Sequence, residues 1–170
     1  MKLIQSDMQA YNLDVKRLLL AFITGHCFVA VLLYRIANFY ARHRIKLLPN
    51  IVKYKTMRKF GCEISPYATI GEGFKIVHSV GIVIGHQVIA GENLELFQNV
   101  TIGSKRKVKD GREMPIIGDN VTIYAGACVV GAIKIGNNVK IGANTYVDFD
   151  VPDGAFVHGE KGIMEMRGES

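Results

Sequence analysis

Between Ile64 and Val100 an aliphatic side chain falls at every sixth position: Ile64, Ile70, Ile76, Ile82, Val88, Leu94 and Val100. The beat resumes at Ile117 and runs through Ile123, Val129, Ile135, Ile141 and Val147. A second register accompanies it, with Ile84, Ala90, Leu96 and Ile102 in the first block and Val121, Ala127, Ile133 and Val139 in the second. Helices repeat every 3.6 residues and strands every 2, so neither alone sustains a period of six. Short strands joined by tight turns and wound into a three-sided parallel β-helix do, each face supplying one inward aliphatic. Glycines such as Gly73, Gly85, Gly91 and Gly136 recur near the expected corners, where a chain without Cβ turns most easily.

The beat divides the chain. Residues 1–60 lack it and read as a small helical region, the strongest helix running from Asp14 to about His43 and the pattern breaking near Pro49. Residues 61–159 read as the coil. Within them an excursion over 104–114, Ser-Lys-Arg-Lys-Val-Lys-Asp-Gly-Arg-Glu-Met, cannot continue the inward pattern and must leave it. Residues 160–170 form a short tail. The uncharged run from Leu18 to Tyr34 is short of the roughly 20 residues that span a bilayer. It reads either as a buried contact between subunits or as a helix resting on a membrane, with Arg42 to Lys59 on anionic lipid.

Charge sharpens that second reading. The net charge is +6, and from Val15 to Cys62 there is no Asp or Glu while Lys and Arg recur throughout. The arm suits a polyanionic surface, but it carries no nucleic-acid motif or repeated aromatic platform, which argues against nucleic acid. Three cysteines (Cys27, Cys62, Cys128) form no CxxC pair, and no cleavable leader pattern opens the sequence. Both point to a reduced, cytoplasmic protein.

Candidate chemistry centres on His78, flanked by inward aliphatics in Ile76-Val-His-Ser-Val-Gly81. A coil of three hexads places Glu63 nearly one turn below it. A carboxylate there would hold one imidazole tautomer and raise the basicity of the other nitrogen, as a general base requires. The opposing reading is a histidine that is simply packed. The excursion's Lys105, Arg106 and Arg112 either form a solvated loop or close over a phosphate-bearing ligand. Three converging imidazoles cannot be assembled, so no metal site is expected. P-loop, dinucleotide and nucleophile-elbow motifs are absent from the sequence.

With coil, histidine and loop together, the chain resembles the hexapeptide-repeat acyltransferases, specifically their serine acetyltransferase branch. The most specific stretch is Glu63-Ile-Ser-Pro-Tyr-Ala-Thr-Ile-Gly71 through Ile76-Val-His-Ser-Val-Gly-Ile-Val-Ile-Gly85. The resemblance implies a left-handed β-helix, a homotrimer, acetyl-CoA as donor, His78 as general base and Glu63 as its support. The positions matching the family's CoA groove are Gly103, Ser104, Ala125, Lys140 and Ala143, small residues beside the pantetheine arm and a lysine for phosphate charge.

Two departures bear on the acceptor. Val77 stands where the serine enzymes have an Asp before the base, and Met114 where they have a second His before the proline that restarts the coil. The same residues resemble the exopolysaccharide acetyltransferases of this branch, colanic acid type, which share a tail like Gly159-Glu-Lys161. The expectation is therefore O-acetylation of a sugar hydroxyl on a polysaccharide or its precursor, with possible peripheral membrane contact. The alternatives are serine O-acetylation for cysteine synthesis and, from another class, a non-catalytic hexapeptide scaffold.

Overall fold

Each hexad becomes one short strand and one turn. In chain order the strands are β1 (Glu63–Ile64), β2 (Thr69–Ile70), β3 (Lys75–Ile76), β4 (Val83–Ile84), β5 (Ile89–Ala90), β6 (Glu95–Leu96) and β7 (Thr101–Gly103). After the excursion come β8 (Ile116–Ile117), β9 (Thr122–Ile123), β10 (Cys128–Val130), β11 (Lys134–Ile135), β12 (Lys140–Ile141), β13 (Tyr146–Val147) and β14 (Phe156–Val157). The structure, a computed structural model, describes residues 2–159 except 15, 16, 18, 19, 22–26, 107, 109 and 110.

The strands pair in parallel in three sheets. The first is β1-β4-β7-β10-β13, the second β2-β5-β8-β11 and the third β3-β6-β9-β12-β14. Successive strands lie in successive sheets, so the chain visits three faces and returns one level up, as the six-residue period predicts. Each face contributes two inward positions per hexad. In most strands the second residue is buried (Ile64, Ile84, Ile102, Ile123, Val147), and so is the residue two before it (Cys62, Ile82, Val100, Val121). Each fully buried aliphatic is worth about 1.5–3 kcal/mol, and the stacked column they form is the core.

The corners are turned by residues in the left-handed region. At the edge between the third and first sheets these are Gly81, Asn99, Gly126 and Asn144, one per coil. Gly81 could hold no larger residue, since a Cβ there would collide with Asn99 Oδ1 of the coil above.

Coil lengths differ in a way the beat conceals. Glu63 pairs with Val83, Val83 with Thr101, Thr101 with Cys128 and Cys128 with Tyr146, giving coils of 20, 18, 27 and 18 residues. The long third coil holds residues 104–114. The two extra residues of the first coil lie between Ile76 and Ile82. There the apparent six-residue step passes from the strand position to the position two before a strand, and the insertion is the corner that carries His78.

The helical region caps the lower end of the coil. Helix α1 spans Lys2–Ala10, α2 Cys27–Arg42 and α3 Leu48–Phe60. A β-helix leaves the edge of its first coil without a coil beneath it, and exposed strand edges need covering. Here side chains cover it. Asn38 Nδ2 donates to the Pro66 and Ala68 carbonyls (2.8 and 2.9 Å), and the Tyr34 hydroxyl to Ala68 (3.0 Å). The Arg35 guanidinium donates to Ile70 and Gly71 (both 2.6 Å), and the Tyr11 hydroxyl to Ile76 (2.8 Å). Arg35 is itself buried against Asp7 of α1 at 2.8 Å. Burial pushes the Tyr34 hydroxyl up to about 12.

Two expectations change. The helix read from Asp14 to about His43 is observed as α2, and residues 15, 16, 18, 19 and 22–26 lie outside the described residues. Its uncharged part contributes Val29, Ala30, Val31 and Tyr34 to the core of this chain's own coil. Pro49 starts α3 instead of only breaking a pattern, because the first turn of a helix needs no N–H from that position. Gly61 closes α3 in the left-handed conformation, its N–H on the Met57 carbonyl at 3.0 Å.

Candidate active site

The insertion throws His78 outward at the edge where the third sheet turns into the first. Its corner is held at three points. The Val77 N–H bonds the Leu96 carbonyl at 2.8 Å, the Gly81 N–H the Gly61 carbonyl at 2.8 Å, and the Ser79 hydroxyl the Phe60 carbonyl at 2.9 Å. Cys27 Sγ adds a contact to the Val77 carbonyl at 3.4 Å. The backbone on both sides is thus fixed while the imidazole stands exposed, which is what a proton acceptor for an incoming hydroxyl needs.

Above His78 the same edge carries an aromatic column that the sequence reading did not single out. Val77, Phe97 and Tyr124 occupy one step of successive coils, each N–H bonding the coil above. The His78 and Phe97 rings meet edge to face at 6.4 Å, and Phe97 and Tyr124 follow at 5.1 Å. The next step of the edge holds Gln98, Ala125 and Ala143, each immediately before a left-handed corner residue. Gln98 Oε1 is buried and has no hydrogen-bond donor among the described residues. The signal for these residues was available only as register, since Phe97 and Gln98 follow His78 by a coil whose length the beat disguised.

In the 20-residue first coil Glu63 lies beneath Val83 in the first sheet. Its Oε1 accepts from Lys53 Nζ of α3 at 2.7 Å, and no hydrogen bond joins it to His78 among the described residues.

The remaining expected positions divide between two edges and a face. Ala125 and Ala143 share the His78 edge. Lys140 lies in β12 on the third sheet, exposed. Gly103 ends β7 and Ser104 follows it at the edge between the first and second sheets, and a Cβ at Gly103 would meet nothing within 4 Å. The excursion folds back along that edge. Ser104 Oγ donates to Glu113 Oε2 at 2.9 Å, Arg112 Nη2 donates to the Gln87 carbonyl at 2.6 Å, and Lys105 pairs with Asp148. Lys105 and Arg112 therefore already have partners in the chain, and Arg106 is exposed. Ala125 and Ala143 thus lie at one edge of the first sheet and Gly103 and Ser104 at the other. Among the described residues no group of three or more His, Cys, Asp or Glu could hold a metal ion.

Coil and edge define the class: a hexapeptide-repeat protein, whose residues 114–148 match the family model "Bacterial transferase hexapeptide (six repeats)". Serine acetyltransferase of Helicobacter pylori (strain ATCC 700392 / 26695) is 38% identical over 132 residues, covering 78% of this chain and 77% of that protein. Serine acetyltransferase of Synechococcus elongatus is 37% identical over 140 residues, 82% of this chain and 57% of that one. A solved serine acetyltransferase in complex with CoA superposes with a TM-score of 0.77 at 29% identity, over 90% of this chain and 64% of that chain. The chain belongs to the serine acetyltransferase family. It spans between about half and three quarters of the length of these relatives.

The expectation of a sugar acceptor is corrected by this likeness, which runs along most of the chain to enzymes named for serine. The two departures weighed too heavily against it. Met114 is a packing residue: it is buried, its Sδ accepts the Gln87 N–H at 3.3 Å, and it fills the space above Gly85. Val77 is half-buried, with its N–H and carbonyl both engaged. Among the described residues no helix is long and apolar enough to cross a membrane.

Proposed function

We propose that this chain is a serine O-acetyltransferase of cysteine biosynthesis, moving the acetyl group of acetyl-CoA to the hydroxyl of free serine. What carries the reading is the relative of that name that matches over three quarters of both chains.

His78 takes the serine hydroxyl proton as the oxygen attacks the thioester carbonyl, and a backbone N–H at the coil edge steadies the oxyanion. Collapse breaks the carbon–sulfur bond, and the imidazolium returns the proton to the departing CoA thiolate. The products are O-acetylserine and CoA. His78 does this from a corner whose backbone is tied on both sides, so the base is positioned before substrate arrives. Gln98 Oε1, buried with no donor among the described residues, is the acceptor left for the serine ammonium group, since Val77 offers none. Glu63 supports the base only once Lys53 releases it.

The coil is left-handed and the working unit is a homotrimer. Each groove then joins the His78, Ala125 and Ala143 edge of one chain to the Gly103 and Ser104 edge of the next. CoA lies between them, with Lys140 and the exposed Arg106 near its phosphates. Such a protein works in the cytoplasm, where its three free thiols stay reduced.

The test is release of CoA by purified protein offered serine, nucleotide-sugars or no acceptor. Turnover with serine well above all others is expected. A sugar acetylated faster than serine, or hydrolysis of acetyl-CoA alone, would refute the reading.

A further inference from the structure

We propose that the face formed by α3 and the turn before it is a docking surface for an anionic lipid membrane. The inference is independent of the acetyl acceptor, because it rests on a surface outside the catalytic edge.

Helix α3 buries only Pro49, Thr56 and Phe60. Its outer side and the 43–47 turn expose Ile45, Leu47, Leu48, Ile51, Tyr54 and Met57, Leu47 by 70% and Tyr54 by 53%. Six large apolar side chains over 13 positions of one short segment exceed the scattered exposure usual for a surface. A shallow, open depression of about 710 Å³ lies along the helix, lined by Asn50, Ile51, Tyr54, Lys55, Arg58 and Lys59.

Lys55, Arg58 and Lys59 border it, and Arg42, Arg44 and Lys46 are exposed in the segment just before the helix. No carboxylate occurs between Val15 and Cys62, and the first acid beyond α3, Glu63, is paired with Lys53. Arg58 lies over the Tyr54 ring at 5.8 Å, so apolar body and charge share one patch.

Charge selects the occupant. A second copy meeting the same face would set six cations against six with no acid between them. A nucleic acid would satisfy the charges but leave Ile45, Leu47, Leu48, Ile51 and Met57 with nothing apolar to enter. A bilayer interface with anionic headgroups satisfies both at once, acyl chains receiving the aliphatics and phosphates the cations. Val80, 65% exposed beside the Gly61 cap of α3, would bring the His78 corner close to that surface.

The full-length protein is floated with vesicles of phosphatidylcholine alone and of phosphatidylcholine mixed with phosphatidylglycerol. Binding to the anionic vesicles alone, lost as salt rises, is expected. Each of Lys55→Gln, Arg58→Gln and Lys59→Gln should weaken partitioning about fivefold, and the three together about a hundredfold. Leu47→Ser with Tyr54→Ser should weaken it too while leaving its salt dependence. Wild-type protein that ignores anionic vesicles at low ionic strength overturns the proposal, as does a triple variant that floats like wild type. A wild-type oligomer that Tyr54→Asp dissociates would give the face to a second copy. Tighter retention on RNA than on anionic vesicles would give it to nucleic acid. Acetyl transfer measured without vesicles should be equal in all variants, so its absence would count against the catalytic reading alone.

Discussion

Replacing Asp7 with Ala should loosen the cap under the whole coil. Asp7 and Arg35 are both buried and bond through both carboxylate oxygens, at 2.8 and 3.0 Å. Asp7 Oδ1 also accepts the Phe74 N–H at 2.9 Å, so one carboxylate ties α1, α2 and the first coil together. Removing it strands a guanidinium charge and an amide, and breaking a buried pair in this way costs about 3–5 kcal/mol. At about 2–4 °C per kcal/mol for a domain of this size, the melting midpoint should fall by roughly 6–20 °C. Thermal unfolding followed by circular dichroism reads the shift, and hydrogen exchange at Phe74 reads the local release. Adding Arg35→Met to Asp7→Ala should recover part of the loss, because no unpaired charge remains. A midpoint within about 2 °C of wild type for Asp7→Ala, with Phe74 still protected, would refute the assignment of the pair as the clamp of the cap.

His78→Ala should lower serine acetylation by about 10²–10⁴ with the circular dichroism spectrum intact, as for loss of a positioned general base; unchanged turnover would remove the base. Lys53→Met frees Glu63, so it should raise turnover or leave it unchanged, and a loss as large as that of His78→Ala would show that the Lys53 pair is itself needed. Gln98→Leu should raise KM for serine while leaving KM for acetyl-CoA, and equal changes in both would show a merely structural role. Alkaline stability follows from groups that burial raises: the Tyr11 hydroxyl and the Cys128 thiol shift upward, and the Tyr34 hydroxyl rises from 10.0 and the Cys62 thiol from 9.0, each to about 12. Between pH 9 and 12 the unfolded chain loses those protons while the folded one keeps them. Stability should therefore be full below pH 9 and fall toward pH 12, with Tyr34 contributing about 3 kcal/mol. Chemical denaturation at pH 8 and pH 11 measures the difference, and Tyr34→Phe should shrink it.

The sequence by itself determined the parallel coil. A hexad pattern must bury its aliphatics, and only a three-sided winding buries them all. It also determined the one-signed arm, because charge is legible without a fold. Only the tertiary structure decided the register. Inward residues occur both in the strand and two positions before it, so adding two residues after Ile76 moves the chain from one inward set to the other without breaking the beat. Glu63 consequently lies under Val83, and Phe97, Tyr124 and Gln98 arrive above the base unannounced. The roles of Asp7 and Arg35 were equally hidden, because a polar side chain in a helix becomes a cap only when the open edge of a coil is placed against it. Packing decided Met114 as well: a residue read as a missing acceptor contact fills the space above Gly85, and what occupies such a space depends on neighbours 27 and 29 positions away along the chain.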